Sequence, residues 1–226
     1  MTAAGRPVVR VVLADDERMV RTALKVILDA EPDLEVVGEA ADGAEAVSVV
    51  RELRPDVVLM DVRMPEVDGI RATERLLASM PAPPRVVVVT TFENDRYVYE
   101  ALRVGAAGFL LKRAAAEDLV TAVRLVARSD SLLYPAAVRA LAASHGRREP
   151  GALRVPWAAR LTDREAEVLR LLATGLTNAE IAARMGVGAA TAKTHVAAVL
   201  AKTGTRDRTQ AVIAAYESGF IEAGRT

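Results

Sequence analysis

Five polar side chains stand where hydrophobic runs stop, and their types suggest one chemistry. VVRVVLA runs straight into Asp15 and Asp16, VVLM into Asp61, VVVVTT contains Thr90, and FLLK ends on Lys112. Three carboxylates brought together repel one another and raise their own pKa values unless a cation compensates. An oxygen-only donor set of this kind suits Mg²⁺, which takes one or two carboxylates, keeps several waters and leaves room for a phosphate oxygen. Lys112 supplies a point charge for the same anion, and Thr90 a hydroxyl donor. Together they could accept a phosphoryl group on the Asp61 carboxylate, with the cation and the lysine spreading the charge of a metaphosphate-like transition state. Taken singly, each has a blander reading: a loop or capping aspartate, a solvated lysine, an ordinary strand threonine. Their joint occurrence at strand ends favours the functional one.

The elements that must position these groups are legible from periodicity. The runs at 8–14, 57–60, 86–91 and 109–112 are continuously apolar and β-branched, as buried parallel strands are, and LEVVGEA at 34–40 is a weaker fifth. Between them lie helical repeats: Met19, Ala23, Val26, Ile27 and Ala30; Ala44, Val47, Val50 and Leu53; Ile70, Thr73, Leu76 and Leu77; Leu119, Ala122, Val123 and Val126. The alternation predicts an α/β doubly wound, parallel five-stranded sheet over residues 7–128. In such a sheet the carboxyl ends of the strands line one edge, so Asp15, Asp16, Asp61, Thr90 and Lys112 converge there.

Composition narrows the remaining choices. The chain has no cysteine and only two histidines, His145 and His195, which excludes disulfides and thiolate metal sites and leaves oxygen donors for any metal. No apolar run reaches the ~18 residues of a membrane span, and MTAAGRP lacks the pattern of a secretion signal, so a cytoplasmic protein with no membrane partner is expected. Residues 1–128 hold 17 basic against 21 acidic side chains, a net of −4, whereas 160–226 hold 9 against 7, a net of +2. Two domains with different partners fit that asymmetry.

Residues 129–160 contain three prolines, two glycines and the basic HGRREPG stretch, and read as a partly ordered linker with a helical hint at Ala136 to Ala143. From 161 to 222 the pattern is a small all-α domain. Thr162, Thr177, Gly188 and Asp207 each precede a short helical segment that ends near glycine. Within TNAEIAARMGVGAATAKTHVAAVL, Ile181, Ala182 and Met185 can pack on Val196, Val199 and Leu200. Thr191, Lys193, Thr194 and His195 are then left partly outward, in helix-turn-helix geometry. Five basic residues, Arg184, Lys193, Lys202, Arg206 and Arg208, against one acidic, Asp207, suit attraction to phosphate.

LADD, LMDVRMPEVDG, VVVVTTFE and GAAGFLLK resemble the motifs of two-component receiver domains, which have a flavodoxin-like fold. That resemblance implies Asp61 as phosphoacceptor, charged by a cognate histidine kinase. It implies Mg²⁺ held by Asp16, Asp61 and the backbone carbonyl of Arg63, with Asp15 acting directly or through water. Thr90 and Lys112 would bind the phosphoryl oxygens, and Thr90 with Phe109 would form the switch pair. Arg113 departs from the aspartate or proline usual after the lysine.

The segment LTDREAEVLRLLATGLTNAEIAARMGVGAATAKTHVAAVLAKTGTRDRTQAVIAAYESGFI is similar almost end to end to LuxR-type DNA-binding domains. The similarity implies Lys193 and Thr194 near base edges of double-stranded DNA, with Thr177, Asn178, Thr191 and His195 positioning the backbone. Gly188 stands where a capping serine is usual, Ala192 for valine and Thr203 for leucine, departures expected to weaken the domain.

The combination points to a NarL/FixJ-type transcriptional response regulator, not an enzyme, forming a homodimer when phosphorylated. Two alternatives stay open from sequence. One is a phosphorylation-independent DNA binder of the same fold. The other is a magnesium-dependent phosphatase or phosphotransferase, disfavoured because Arg63 occupies the position where such enzymes carry a second acid.

Overall fold

The structure, a computed structural model, describes residues 8–91, 95–128 and 155–221. They fall into two compact units, one on each side of residue 132. The first runs β1 (Val9–Ala14), α1 (Arg18–Asp29), β2 (Leu34–Ala40), α2 (Gly43–Leu53), β3 (Val57–Asp61), α3 (Gly69–Ser79), β4 (Arg85–Thr90), α4 (Asp95–Val104), β5 (Gly108–Leu111) and α5 (Ala116–Ala127). All pairings are parallel and the strand order is β2-β1-β3-β4-β5, the expected doubly wound sheet.

Every residue of β3 is buried, and all of β4 except its first, because helices cover both faces. Side-chain parity then sorts the valines. Val11, Leu13, Val57, Leu59, Val87, Val89 and Leu110 pack with Leu28 of α1 and with Leu119, Val123 and Val126 of α5. Val12, Ala14, Val58, Met60 and Val86 pack with Ala46 and Val50 of α2 and with Ala72 and Leu76 of α3. At about 1.5–3 kcal/mol per fully buried aliphatic side chain, these two layers hold the strands rigidly enough to carry a site at their tips.

Three details differ from the sequence reading. Met19 and Val26 are 84% and 67% exposed, so the repeat through Met19, Ala23 and Val26 is the outer face of α1. Leu28 is buried and Leu24 and Ile27 are partly buried; the larger aliphatic set takes the core because it removes more surface from water. Asp61 is the last residue of β3, not the first after it. β5 stops at Leu111, one residue early, yet the Lys112 N–H still donates to the Thr90 carbonyl at 2.8 Å, so the lysine keeps its place beside β4.

Gly69 opens α3 where nothing larger fits. A Cβ there would lie 1.9 Å from the Asp61 carbonyl oxygen, while the Gly69 N–H donates to the Val62 carbonyl at 3.0 Å. The start of α3 is thus pressed against the backbone of Asp61.

The second unit has a 3₁₀ turn (Ala158–Arg160) followed by α6 (Asp163–Ala173), α7 (Asn178–Met185), α8 (Ala189–Thr203) and α9 (Arg208–Glu217). Reciprocal capping boxes, Thr162 with Glu165 and Thr177 with Glu180, start α6 and α7, and Asp207 caps α9. α8 starts at Gly188 without a side-chain cap. α7 ends at Gly186, whose φ of 65° is the left-handed conformation that closes helices. Val168, Leu169, Leu172, Ile181, Ala192, Val199, Ala211 and Val212 form the buried centre. Trp157 packs tilted against Phe220 with ring centroids 5.5 Å apart, and Arg170 sits 5.1 Å over the Phe220 ring. The expected linker lies mostly outside the described residues, including HGRREPG and the Ala136 to Ala143 hint. Among the described residues no helix is long and apolar enough to cross a membrane.

Candidate functional site

β1 and β3 are neighbours in the sheet although β2 lies between them in sequence, so the strand order reverses direction there and opens a crevice at their carboxyl ends. Asp15 leaves β1 and Asp61 ends β3 on the two sides of that crevice. Lys112 joins them across β4: its Nζ lies 2.8 Å from Asp15 Oδ2 and 3.1 Å from Asp61 Oδ2. Asp15, Asp61 and Lys112 continue the parity of Leu13, Leu59 and Leu110, which is why the three meet on the face covered by α1 and α5. Their side chains are only 3%, 7% and 9% exposed.

Asp16 is exposed, and its carboxylate reaches the same point. Ligand oxygens of Asp15, Asp16 and Asp61 lie within 4.8 Å of one another, an acidic group able to hold a metal ion. The loop bearing the first two is braced from behind. Arg21 donates from Nη1 to the Asp15 carbonyl at 2.6 Å and from Nε to Glu39 Oε2 at 3.2 Å. The remaining Asp15 oxygen, Oδ1, accepts the Glu17 N–H at 2.9 Å, and Asp61 Oδ1 accepts the Val62 N–H at 2.7 Å.

Burial pushes the Asp61 carboxyl above its ordinary range and the nearby Asp15 charge adds to the rise, while Lys112 and the Val62 N–H pull it back. For Lys112 burial alone would lower the value, but hydrogen bonds to Asp15 and Asp61 prevail and hold the ammonium firmly protonated. Two buried carboxylates on one ammonium leave net negative charge, which a hard cation on these oxygens would neutralise.

Thr90 and Phe109 take the opposite parity. Val88 pairs with Phe109 and Thr90 with Leu111, so Thr90 and Phe109 point to the same sheet face, two residues apart along the ladder. Thr90 is buried and Phe109 half-buried. The five tips gather at one edge, but the ionic trio and the threonine–phenylalanine pair belong to different faces. Arg63 is exposed, two residues beyond Asp61.

In the second unit Thr191, Lys193 and Thr194 are exposed along α8 while Ala192 and Val196 are buried behind them; His195 is half-buried. The Thr194 hydroxyl donates to the Ala190 carbonyl at 3.0 Å, and that of Thr177 is taken by Glu180. Asn178 carries a buried Oδ1 that accepts no hydrogen bond. Lys202 and Arg208 are committed inside the unit. Lys202 pairs with Glu165 at 2.6 Å, and Arg208 donates to the Leu176 carbonyl. Arg184, Lys193 and Arg206 are the exposed ones. Thr203, in place of leucine, turns its hydroxyl to the Val199 carbonyl at 2.8 Å and lies 2.8 Å from the Thr205 hydroxyl, closing the last turn of α8.

The sequence reading missed Glu17, whose Oε1 lies 3.3 Å from Lys112 Nζ, and missed Arg21. A long acidic side chain at a helix start, one residue after a paired aspartate, was the available clue to the first. Arg21 gave none, because an arginine in a first helical turn is ordinary.

Parallel sheet, acidic edge and helix-turn-helix unit together define a regulator with a receiver and a DNA-binding module. Residues 11–124 match the response regulator receiver domain family, and residues 159–215 match the LuxR family of bacterial regulatory proteins. The chain belongs to the response-regulator family and is a two-component transcription factor of the LuxR type. It is 37% identical to the uncharacterized transcriptional regulatory protein YxjL of Bacillus subtilis over 95% of this chain and 98% of the relative. It is 38% identical to the response regulator protein VraR of Staphylococcus aureus over 95% and 99%. Among solved structures, the response regulator ChrA of a heme-sensing two-component system superposes with a TM-score of 0.52 at 33% identity, covering 96% of this chain and all of that one (100%).

Proposed function

We propose that Asp61 is the phosphoacceptor and that its phosphorylation controls DNA binding by the helical unit. The observation carrying this reading is the ionic trio: the buried carboxylates of Asp15 and Asp61 meet the Lys112 ammonium at the β1/β3 crevice, with the exposed Asp16 carboxylate beside the other two. An Asp61 carboxylate oxygen bonds to phosphorus as the P–N bond to the kinase phosphohistidine breaks. The imidazole leaves with that electron pair and takes up a proton. Lys112 gives up a carboxylate contact to meet a phosphoryl oxygen, and the Thr90 hydroxyl donates to another. Asp16, Asp61 and the Arg63 carbonyl would hold Mg²⁺, with Asp15 directly or through water; the all-oxygen donor set and its excess charge fit that ion. When bound it neutralises charge on the transferring group.

Thr90 and Phe109 share a sheet face, so a shift of the hydroxyl toward a new phosphoryl oxygen opens space that the ring can fill. This biases a two-state receiver toward a homodimer, and two helical units then engage double-stranded DNA together, through Lys193 and Thr194 at base edges and Thr177, Asn178, Thr191 and His195 at the backbone. A kinase-charged regulator of chromosomal DNA works in the cytoplasm, and its output is occupancy of DNA, not turnover of a substrate.

The test is DNA affinity with and without acetyl phosphate and Mg²⁺, for the native chain and Asp61→Ala. Phosphorylation should tighten binding by the native chain about ten-fold or more and leave the variant unmoved. Equal binding by both, with no response, would sink the reading.

A further inference from the structure

Glu17 occupies the N-cap of α1, where a short oxygen-bearing side chain normally accepts a backbone N–H. Asp42, Asp68, Thr162, Thr177 and Asp207 all do so at their own helices. Glu17 makes no side-chain cap. Its carboxylate reaches across the site edge to Lys112 Nζ at 3.3 Å instead. With a side chain 60% exposed, against 9% for Lys112, it is the outermost acid on that ammonium and stands on the solvent side of it. A local capping preference goes unmet beside the site, while the side chain serves the ion cluster.

We propose that Glu17 is a brake on phosphoryl entry, resting on the assignment of Asp61 as phosphoacceptor. Its carboxylate holds Lys112 in the resting ion cluster and places a negative charge at the mouth through which an anionic donor must come. The same charge draws a cation toward Asp15, Asp16 and Asp61. Removing it therefore has opposite consequences for the two ligands: faster capture of the phosphoryl group and weaker capture of the metal. A residue that merely shaped the loop would move both in one direction.

The experiment uses the full-length chain and acetyl phosphate, from which an Asp61 oxygen takes the phosphoryl group as the P–O bond to the acetyl group breaks and acetate leaves with the electron pair. Intact mass at saturating Mg²⁺ gives the rate, and calorimetry without donor gives the Mg²⁺ affinity. Glu17→Gln should speed phosphorylation about three-fold and weaken Mg²⁺ binding about two-fold, the scale of an exposed ion pair, with the rate gain shrinking as salt is raised. Glu17→Ser, which restores a capping residue, should show the same rate gain with a higher Tm, so that the gain cannot come from a loosened helix. An unchanged or slower rate in both variants, or rate and metal affinity moving together, overturns the brake. Failure of the native chain to gain phosphoryl mass overturns instead the assignment of Asp61 on which it rests.

Discussion

Each unit of this protein contains a lysine locked onto buried acid, and the two clusters are built to opposite ends. Lys202 of α8 meets one carboxylate, Glu165, which also takes the N–H and hydroxyl of Thr162 at 2.7 and 2.9 Å. Charge is balanced, three donors meet on the single oxygen Glu165 Oε2, and the cluster staples the start of α6 to the end of α8. Lys112 meets three carboxylates, those of Asp15, Asp61 and Glu17, with Asp16 beside them. There the acids outnumber the base, and folding leaves a debt of positive charge to be met from outside. A closed ion cluster is architecture; the unbalanced one is the site proposed to take a cation.

The sharpest way to break that contrast is to delete each lysine in turn. Lys112→Met strands two buried carboxylates and should lower the stability of the first unit by about 3 kcal/mol, with a large part recovered by Mg²⁺. Urea unfolding with and without the ion reads both quantities. Lys202→Met should cost about 1 kcal/mol, because its partner keeps the Thr162 bonds and the pair is partly solvated, and Mg²⁺ should restore none of it. If Mg²⁺ rescued both variants, or neither, the distinction between open and closed clusters would fall.

Acid sharpens the comparison further. Lys202 and Thr162 together pull Glu165 down from its ordinary value of 4.5 to about 2. A carboxylate depressed in the folded state contributes stability that is complete above the unfolded pKa and is lost as pH falls from about 4.5 through about 2. Asp61, raised by burial, acts in the reverse sense, since its protonation favours the folded form. Thermal scans between pH 7 and 3 should therefore show the helical unit losing Tm in acid, and Glu165→Gln should flatten that slope while lowering the neutral plateau. The smallest expected effect is at Gly188. An added Cβ there meets nothing closer than the Thr191 hydroxyl oxygen at 4.0 Å, so Gly188→Ser should cap α8 and gain a few tenths of a kcal/mol in denaturant unfolding.

What could be read in advance follows the same division. Strands covered on both faces spell themselves out as unbroken valine runs, and parallel order alone gathers their last residues, so Asp15, Asp61, Thr90 and Lys112 were legible before any coordinates. Helix faces were less so. The repeat through Met19 and Val26 fits a period as well as the repeat through Leu24 and Leu28, and only packing against β2 and α5 decides between them. The basic residues after Arg184 looked like one group because sequence does not tell a lysine aimed at solvent from one, like Lys202, aimed at a buried glutamate. Glu17 offered only its place after the paired aspartates and Arg21 offered nothing, because the partners they reach, Lys112 for the one and Glu39 for the other, are fixed by the fold and not by the local pattern.

Parity along the strands has a further consequence for how such a chain can vary. Asp61 and Lys112 face one layer of helices, Thr90 and Phe109 the other, and each assignment depends on counting residues from the strand interior. Lengthening a helix or a surface loop leaves that count untouched. A single insertion inside β4 would turn the threonine hydroxyl toward the wrong layer, and the relay proposed through Thr90 and Phe109 would be lost.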